Sequence, residues 1–236
     1  MSRYIKHLEQ MYSKKTFNRK IGYIKYNFSD LIDIKSEEKY SVLEIGPGMG
    51  EFVCYLNKLG VKNIDVVDND REILKRINNK HKIRKTICTE DVSKLSRNSG
   101  KYDLVIMIQV LEHISPAKYT EVLSMLYASL KPLGKLIIVV PNASNPLGLV
   151  ERYADLQHYI SFTEQSLKDL VGLSGIKDYS LSLQGFEIPP YSLINVARIF
   201  LQKTLHLLLL FALVINGGNF FRIMTPNISL IVKKNA

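Results

Sequence analysis

The stretch Tyr40-Ser41-Val42-Leu43-Glu44-Ile45-Gly46-Pro47-Gly48-Met49-Gly50-Glu51 constrains this chain most. A short apolar run stopped by glycines reads as a buried strand ending in a tight turn. Glu51–Leu59 then has helical spacing and is closed by Gly60. Further strands are predicted at Asn63–Val67, Ile83–Ile87, Tyr102–Ile108, Lys135–Val140, Lys177–Leu183 and Asn227–Lys233, and helices at Asp70–Asn79, Pro116–Leu130 and Thr163–Leu173. Asp70 and Thr163 suit the caps of their helices. Strands alternating with helices of this length predict an α/β fold, a doubly wound and mostly parallel sheet of seven strands with helices on both faces. Strands with little polar alternation are covered on both sides.

The ligand follows from the loop. Glycines at the carboxyl end of the first strand let backbone approach a ligand closely. A dinucleotide site would read GxGxxG and receive a pyrophosphate. Here the pattern is GxGxG, Glu51 stands where the third glycine is needed, and Glu44 lies two residues upstream. Both carboxylates oppose an anion and suit a cation. No GK[ST] follows, which excludes a P-loop.

These features, in this order, resemble the class I S-adenosylmethionine-dependent methyltransferases, over roughly residues 40–184. The E-x-G-x-G-x-G pattern is Glu44, Gly46, Gly48 and Gly50. Val66-Val67-Asp68-Asn69-Asp70 matches the acidic end of the second strand, and Thr89-Glu90-Asp91-Val92 the acidic loop after the third. Tyr102-Asp103-Leu104-Val105 and Gln109-Val110-Leu111-Glu112-His113 are similar to the fourth-strand motif. Leu130-Lys131-Pro132-Leu133-Gly134 resembles the turn before the fifth strand, with Leu133 in place of a glycine. Val140-Pro141-Asn142 and His158-Tyr159, with Phe162-Thr163, resemble the ubiquinone-type and polysaccharide-cluster subgroup.

The resemblance implies a Rossmann-like domain and S-adenosyl-L-methionine as cofactor, with S-adenosyl-L-homocysteine as product. It implies that Glu44, Gly46, Gly48, Gly50, Asp68, Asn69, Asp91, Val92 and Gln109 bind the cofactor, Asp68 taking the ribose hydroxyls and Asp91 the adenine amino group. Methyl transfer from a sulfonium is an in-line displacement, so positioning supplies much of the rate and no metal is called for. His113 and His158 are the catalytic candidates, because a hydroxyl acceptor must lose its proton near the moment of transfer. None of His7, His81, His113, His158 and His206 shows metal-ligand spacing, and His7, His81 and His206 have no partner pattern. Cys54 and Cys88 exclude a disulfide scaffold and read as core.

The chain of 236 residues reads as a single domain with additions: a basic N-terminal segment over 1–38, a cofactor-binding core over 39–184, and an apolar helical insertion with the last strand over 185–236. The balance of Lys+Arg 32 against Asp+Glu 22 suits nucleic acid, an anionic membrane surface or a phosphorylated substrate. The first of these is disfavoured, because no aromatic-interleaved basic module is present and Ile108-Gln109-Val110-Leu111 replaces the amine-methylating motif. The basic segment itself reads as a solvated helix surface. It contains no apolar leader, so a cytoplasmic setting is expected.

No acidic residue occurs from 188 to 232, and Thr204–Phe221 carries no formal charge. Asn195, Arg198, Gln202 and His206 form one narrow polar stripe at helical spacing. Three readings stand: a helix on the inner face of a membrane through 192–221, a helix buried against a partner such as a second copy, or one packed over its own core. A membrane contact agrees with a lipid-linked glycan or a prenylated quinone as acceptor. The subgroup resemblance favours O-methylation of a glycan or glycan-phosphate intermediate of surface polysaccharide biosynthesis.

Overall fold

A computed structural model describes residues 13–34, 36–95, 100–153, 155–218 and 220–236. The start of the expected basic segment, with His7, lies outside the described residues.

The elements alternate as expected: α1 (Lys14–Phe28), β1 (Ser41–Ile45), α2 (Glu51–Lys58), β2 (Asn63–Asp68), α3 (Arg71–Lys80), β3 (Lys85–Cys88), β4 (Tyr102–Ile108), α4 (Tyr119–Ala128), β5 (Leu130–Pro141), α5 (Leu149–Tyr153), α6 (Glu164–Leu173), β6 (Tyr179–Gly185), α7 (Leu193–Gly217) and β7 (Asn227–Lys234). One sheet of seven strands has the order β3-β2-β1-β4-β5-β7-β6. Only β7 runs antiparallel to its neighbours. The chain leaves β1 for β2 on one side and returns for β4 on the other. That reversal opens a crevice at the carboxyl ends of β1 and β4.

Alternate residues of the strands feed two cores. On one face Val42, Ile64, Val66 and Ile106 pack under Phe28 of α1, Phe52 and Leu56 of α2, and Ile73 and Ile77 of α3. On the other, Leu43, Val105, Ile138 and Leu230 pack under Leu126 of α4 and Leu167 and Val171 of α6. Each such side chain contributes roughly 1.5–3 kcal/mol when fully buried. Asp70 accepts from the amides of Glu72 and Ile73, and Thr163 forms a capping box with Ser166, as the sequence suggested.

Some details differ from expectation. The basic segment is not all solvated surface: α1 buries Ile21, Ile24 and Phe28. Cys88 is exposed and Cys54 half-buried, so neither is fully core. The helix expected over Pro116–Leu130 splits into a 3₁₀ turn, Pro116–Lys118, and α4. Strand β5 starts at Leu130 rather than Lys135, because Leu130 already pairs with Tyr102 across an irregularity in the register. Leu133 holds φ 64 in that turn, the left-handed conformation a glycine would adopt freely.

Helix α7 is the apolar helix expected before the last strand. Its cap is Ser192 and none of its residues is buried. Asn195, Gln202 and His206 are half-buried toward the domain, as are Ile199 and Leu209. The apolar bulk faces out: Leu193 is 90% exposed, Phe200 70%, Leu208 61% and Phe211 66%. Packing of this helix over the chain's own core is therefore overturned. A single membrane crossing is excluded as well, because β6 before it and β7 after it are hydrogen-bonded neighbours in one sheet.

Candidate active site

The crevice is a cleft of about 940 Å³ lined from the first, second and fourth strand ends, α1 and the start of α7. Glu44 stands on its floor with Oε2 buried and, among the described residues, without a hydrogen bond. Burial pushes its carboxyl up to about 8, and the nearby Glu51 carboxylate adds to the rise. Glu51, in the first turn of α2, likewise buries an Oε1 that makes no hydrogen bond, 3.7 Å from the Lys20 ammonium. A cationic ligand in the cleft would favour the ionised form of this acidic pair.

The glycines divide into different tasks. Gly46 turns at φ 68 while its amide donates to the Val67 carbonyl at 2.8 Å, and a Cβ there would collide with Val110. Gly48, at φ 53, is open: a Cβ would meet only Glu51 Oε2 at 3.9 Å. Gly50 does not line the cleft. At φ 90 it makes room for Ile77 of α3 and for His81, which follows that helix.

Asp68 and Asn69, at the end of β2, line the cleft. Asp68 Oδ1 accepts the Asp70 amide at 2.8 Å, and burial raises its carboxyl. From the loop after β3, Thr89, Glu90 and Val92 line the cleft and Asp91 does not. Asp91 caps the next turn through the Ser93 amide and pairs with Lys118 at 2.6 Å. That ammonium holds its carboxyl down at about 2. The Asp91 carboxylate is thus engaged by Ser93 and Lys118, while the adjacent Glu90 lines the cleft.

Gln109, at φ 55, projects from the end of β4 and donates Nε2 to Asn227 Oδ1 at 2.7 Å. His113 lines the cleft, and its ring stands edge to face with His158, centroids 4.5 Å apart. Burial, then the charge of His158, lowers the His113 imidazole below its ordinary value. The loop carrying His158 is tied down by Tyr159, whose amide donates to the Glu112 carbonyl at 2.8 Å. Both histidine candidates are thus brought together, with His113 on the cleft wall.

The sequence reading missed the rim. Arg19, Lys20 and Tyr23 of α1, Phe186, and Arg198 of α7 line the mouth. These segments lie far apart in the chain, and no local pattern joins them.

The lining fits S-adenosylmethionine, which supplies a methyl group already activated on a sulfonium. Glu44 and Glu51 would face its cationic groups, Asp68 its ribose diol, and Gly48 would let backbone close on it. A pyrophosphate would meet two carboxylates instead.

Relatives agree in fold. An S-adenosylmethionine-dependent methyltransferase from Archaeoglobus fulgidus superposes with a TM-score of 0.62 at 21% identity, covering 94% of this chain and 97% of its own. The plantazolicin methyltransferase BpumL, solved with S-adenosylhomocysteine, gives a TM-score of 0.62 at 17% identity, covering 99% of this chain and 90% of that one. Ribosomal RNA small subunit methyltransferase A of Hydrogenobaculum sp. is 25% identical over 130 residues, 54% of this chain; the chain spans about half that relative's length, 48%. The methyltransferase domain family matches residues 12–181. With the carboxylate-lined cleft at the switch point of its sheet, the chain belongs to that family and is a class I S-adenosylmethionine-dependent methyltransferase.

Proposed function

We propose that this methyltransferase acts at an anionic membrane surface and methylates a hydroxyl of a lipid-linked glycan or glycan-phosphate. The carrying observation is that one helix serves both places. The first half of α7 puts Arg198 on the rim of the cleft, and the same helix turns Phe200, Leu208 and Phe211 outward. Soluble monomers avoid an apolar patch of that kind. Arg19, Lys20 and Arg198 at the mouth complement a phosphate, and the formal +10 of the chain complements anionic lipid.

The acceptor hydroxyl would sit against His113 and His158. Its oxygen forms the new bond to the methyl carbon as the bond from carbon to sulfur breaks, and the electron pair stays on sulfur. The proton leaves the acceptor oxygen on the histidine side. A quinone shares the apolar demand of such an acceptor but makes no use of a basic rim.

The test uses methyl-labelled S-adenosylmethionine, the purified protein and a bacterial membrane lipid extract. Label should enter the organic phase, and mild acid, which cleaves polyprenyl phosphate linkages, should release it to water. Label that remains on an acid-stable quinone, or that enters added RNA instead, overturns the reading.

A further inference from the structure

We infer that Glu112, His113 and His158 form a binding site for a divalent transition-metal ion on the acceptor side of the cleft. This rests on the reading that the acceptor meets the two histidines, and it deepens that reading by giving the acceptor oxygen a metal to bind.

The ligand atoms of the three side chains all lie within 4.8 Å of one another. A bound ion at about 2.1 Å from each would hold neighbouring donors about 3 Å apart, so modest side-chain rotations close the set. The donors are one carboxylate and two imidazoles. That mixture suits manganese, iron, cobalt or zinc, whereas magnesium and calcium want oxygen. Three protein ligands leave coordination positions open, as an ion that handles substrate requires.

The placement supports the same conclusion. Glu112 is 0% exposed, while His113 reaches the cleft wall, so the set is backed by protein and opens toward the cleft. Two separate segments supply it. The 3₁₀ turn Leu111–His113 is joined to the loop of His158 by the hydrogen bond from the Tyr159 amide to the Glu112 carbonyl. That clamp fixes His158 beside His113 through backbone rather than through the imidazoles themselves. Asp155 and Gln157 of the same loop also line the cleft. Such an ion would lower the pKa of a bound acceptor hydroxyl, as it does that of bound water. The proton would then pass to water at the open mouth.

The experiment uses untagged full-length protein freed of metal with EDTA and dialysed, then titrated with cobalt(II). Visible absorption bands stronger than those of aqueous cobalt, saturating at one ion per chain, are expected. His158→Ala and His113→Ala should each weaken cobalt binding at least ten-fold, with affinity for S-adenosylhomocysteine unchanged as the measure of an intact fold. Aqueous-like spectra for the wild type, or undiminished binding by both variants, overturn the site. The lipid-extract assay separates this from the acceptor reading. If EDTA leaves turnover intact while His158→Ala abolishes it, the histidines act without metal and the inference falls. If cobalt binds as expected and no lipid is methylated, the acceptor reading falls and the metal site stands.

Discussion

Gln109 and Asn227 meet across the floor of the cleft, Nε2 donating to Oδ1 at 2.7 Å. Gln109 directly follows β4, and Asn227 begins β7 after the α7 excursion. The pair therefore links the cofactor side of the sheet to the strand that returns from the exposed helix. Asn227→Ala should lower stability by about 0.5–1.5 kcal/mol, the usual net value of such a bond. It should also loosen cofactor binding, because Gln109 lines the cleft in a left-handed conformation that this partner helps hold. Thermal melting and calorimetry with S-adenosylhomocysteine read the two effects, and a variant unchanged in both would remove the link.

Asp68→Ala should weaken S-adenosylhomocysteine binding by about 1.5–3 kcal/mol, the range for hydrogen bonds to a charged group. Gly48→Val should weaken it too, since the substitution forces a branched Cβ into φ 53 where backbone meets the ligand. A folded Gly48→Val protein with wild-type affinity would take the loop out of the site.

Glu44 predicts a pH dependence with a definite sign. Its carboxyl lies at about 8 in the folded protein against an ordinary 4.5, so between those values the native state holds a proton that the unfolded chain releases. Stability contributed by this group is therefore full below 4.5 and falls as pH rises toward 8. A cationic ligand prefers the ionised form. Affinity for S-adenosylmethionine should rise by up to about ten-fold per pH unit below 8 and level off above it. Calorimetry in buffers of different ionisation enthalpy should count one proton released at pH 7. A flat profile with no proton release would mean that Glu44 is already ionised.

Leu133 holds φ 64 in an exposed turn where the related pattern has glycine. Leu133→Gly removes left-handed strain of about 1–2 kcal/mol and adds unfolded-state entropy of about 0.5–1 kcal/mol. The melting temperature should rise by a few degrees, and a fall would show that the leucine packs usefully.

Leu208→Glu combined with Phe211→Glu tests the outward face of α7. Each apolar side chain withdrawn from water is worth roughly 1.5–3 kcal/mol. The double variant should leave vesicles of phosphatidylcholine and phosphatidylglycerol at least about a hundred-fold more readily, with S-adenosylhomocysteine affinity kept. Wild-type protein that ignores vesicles and scatters light as a dimer, made monomeric by the substitutions, would assign the face to a second copy.

Local chemistry was readable in the sequence. The strand, the glycine turn, the Asp70 cap and the Thr163 cap each lie within a few residues of their causes. What was not readable depends on distant chain. Glu90 and Asp91 are adjacent acids, and Lys118, from another element, draws Asp91 away. The spacing of the α7 stripe was visible, but not that Gln202 and His206 face the domain while Leu201, Leu207 and Leu208 face out. Nor does any spacing bring His158 beside Glu112 and His113; the Tyr159 backbone bond does that.

Arg198 gives α7 one last consequence. A helix with its side chains is about 10–12 Å across, so a cleft bordered by α7 opens within that distance of any plane on which the helix rests. An acceptor confined to that plane reaches the cleft by lateral diffusion alone. Rate should then follow the acceptor's mole fraction in the surface rather than its bulk concentration. Adding inert lipid at constant total acceptor would slow the enzyme by spreading the same molecules over a larger area.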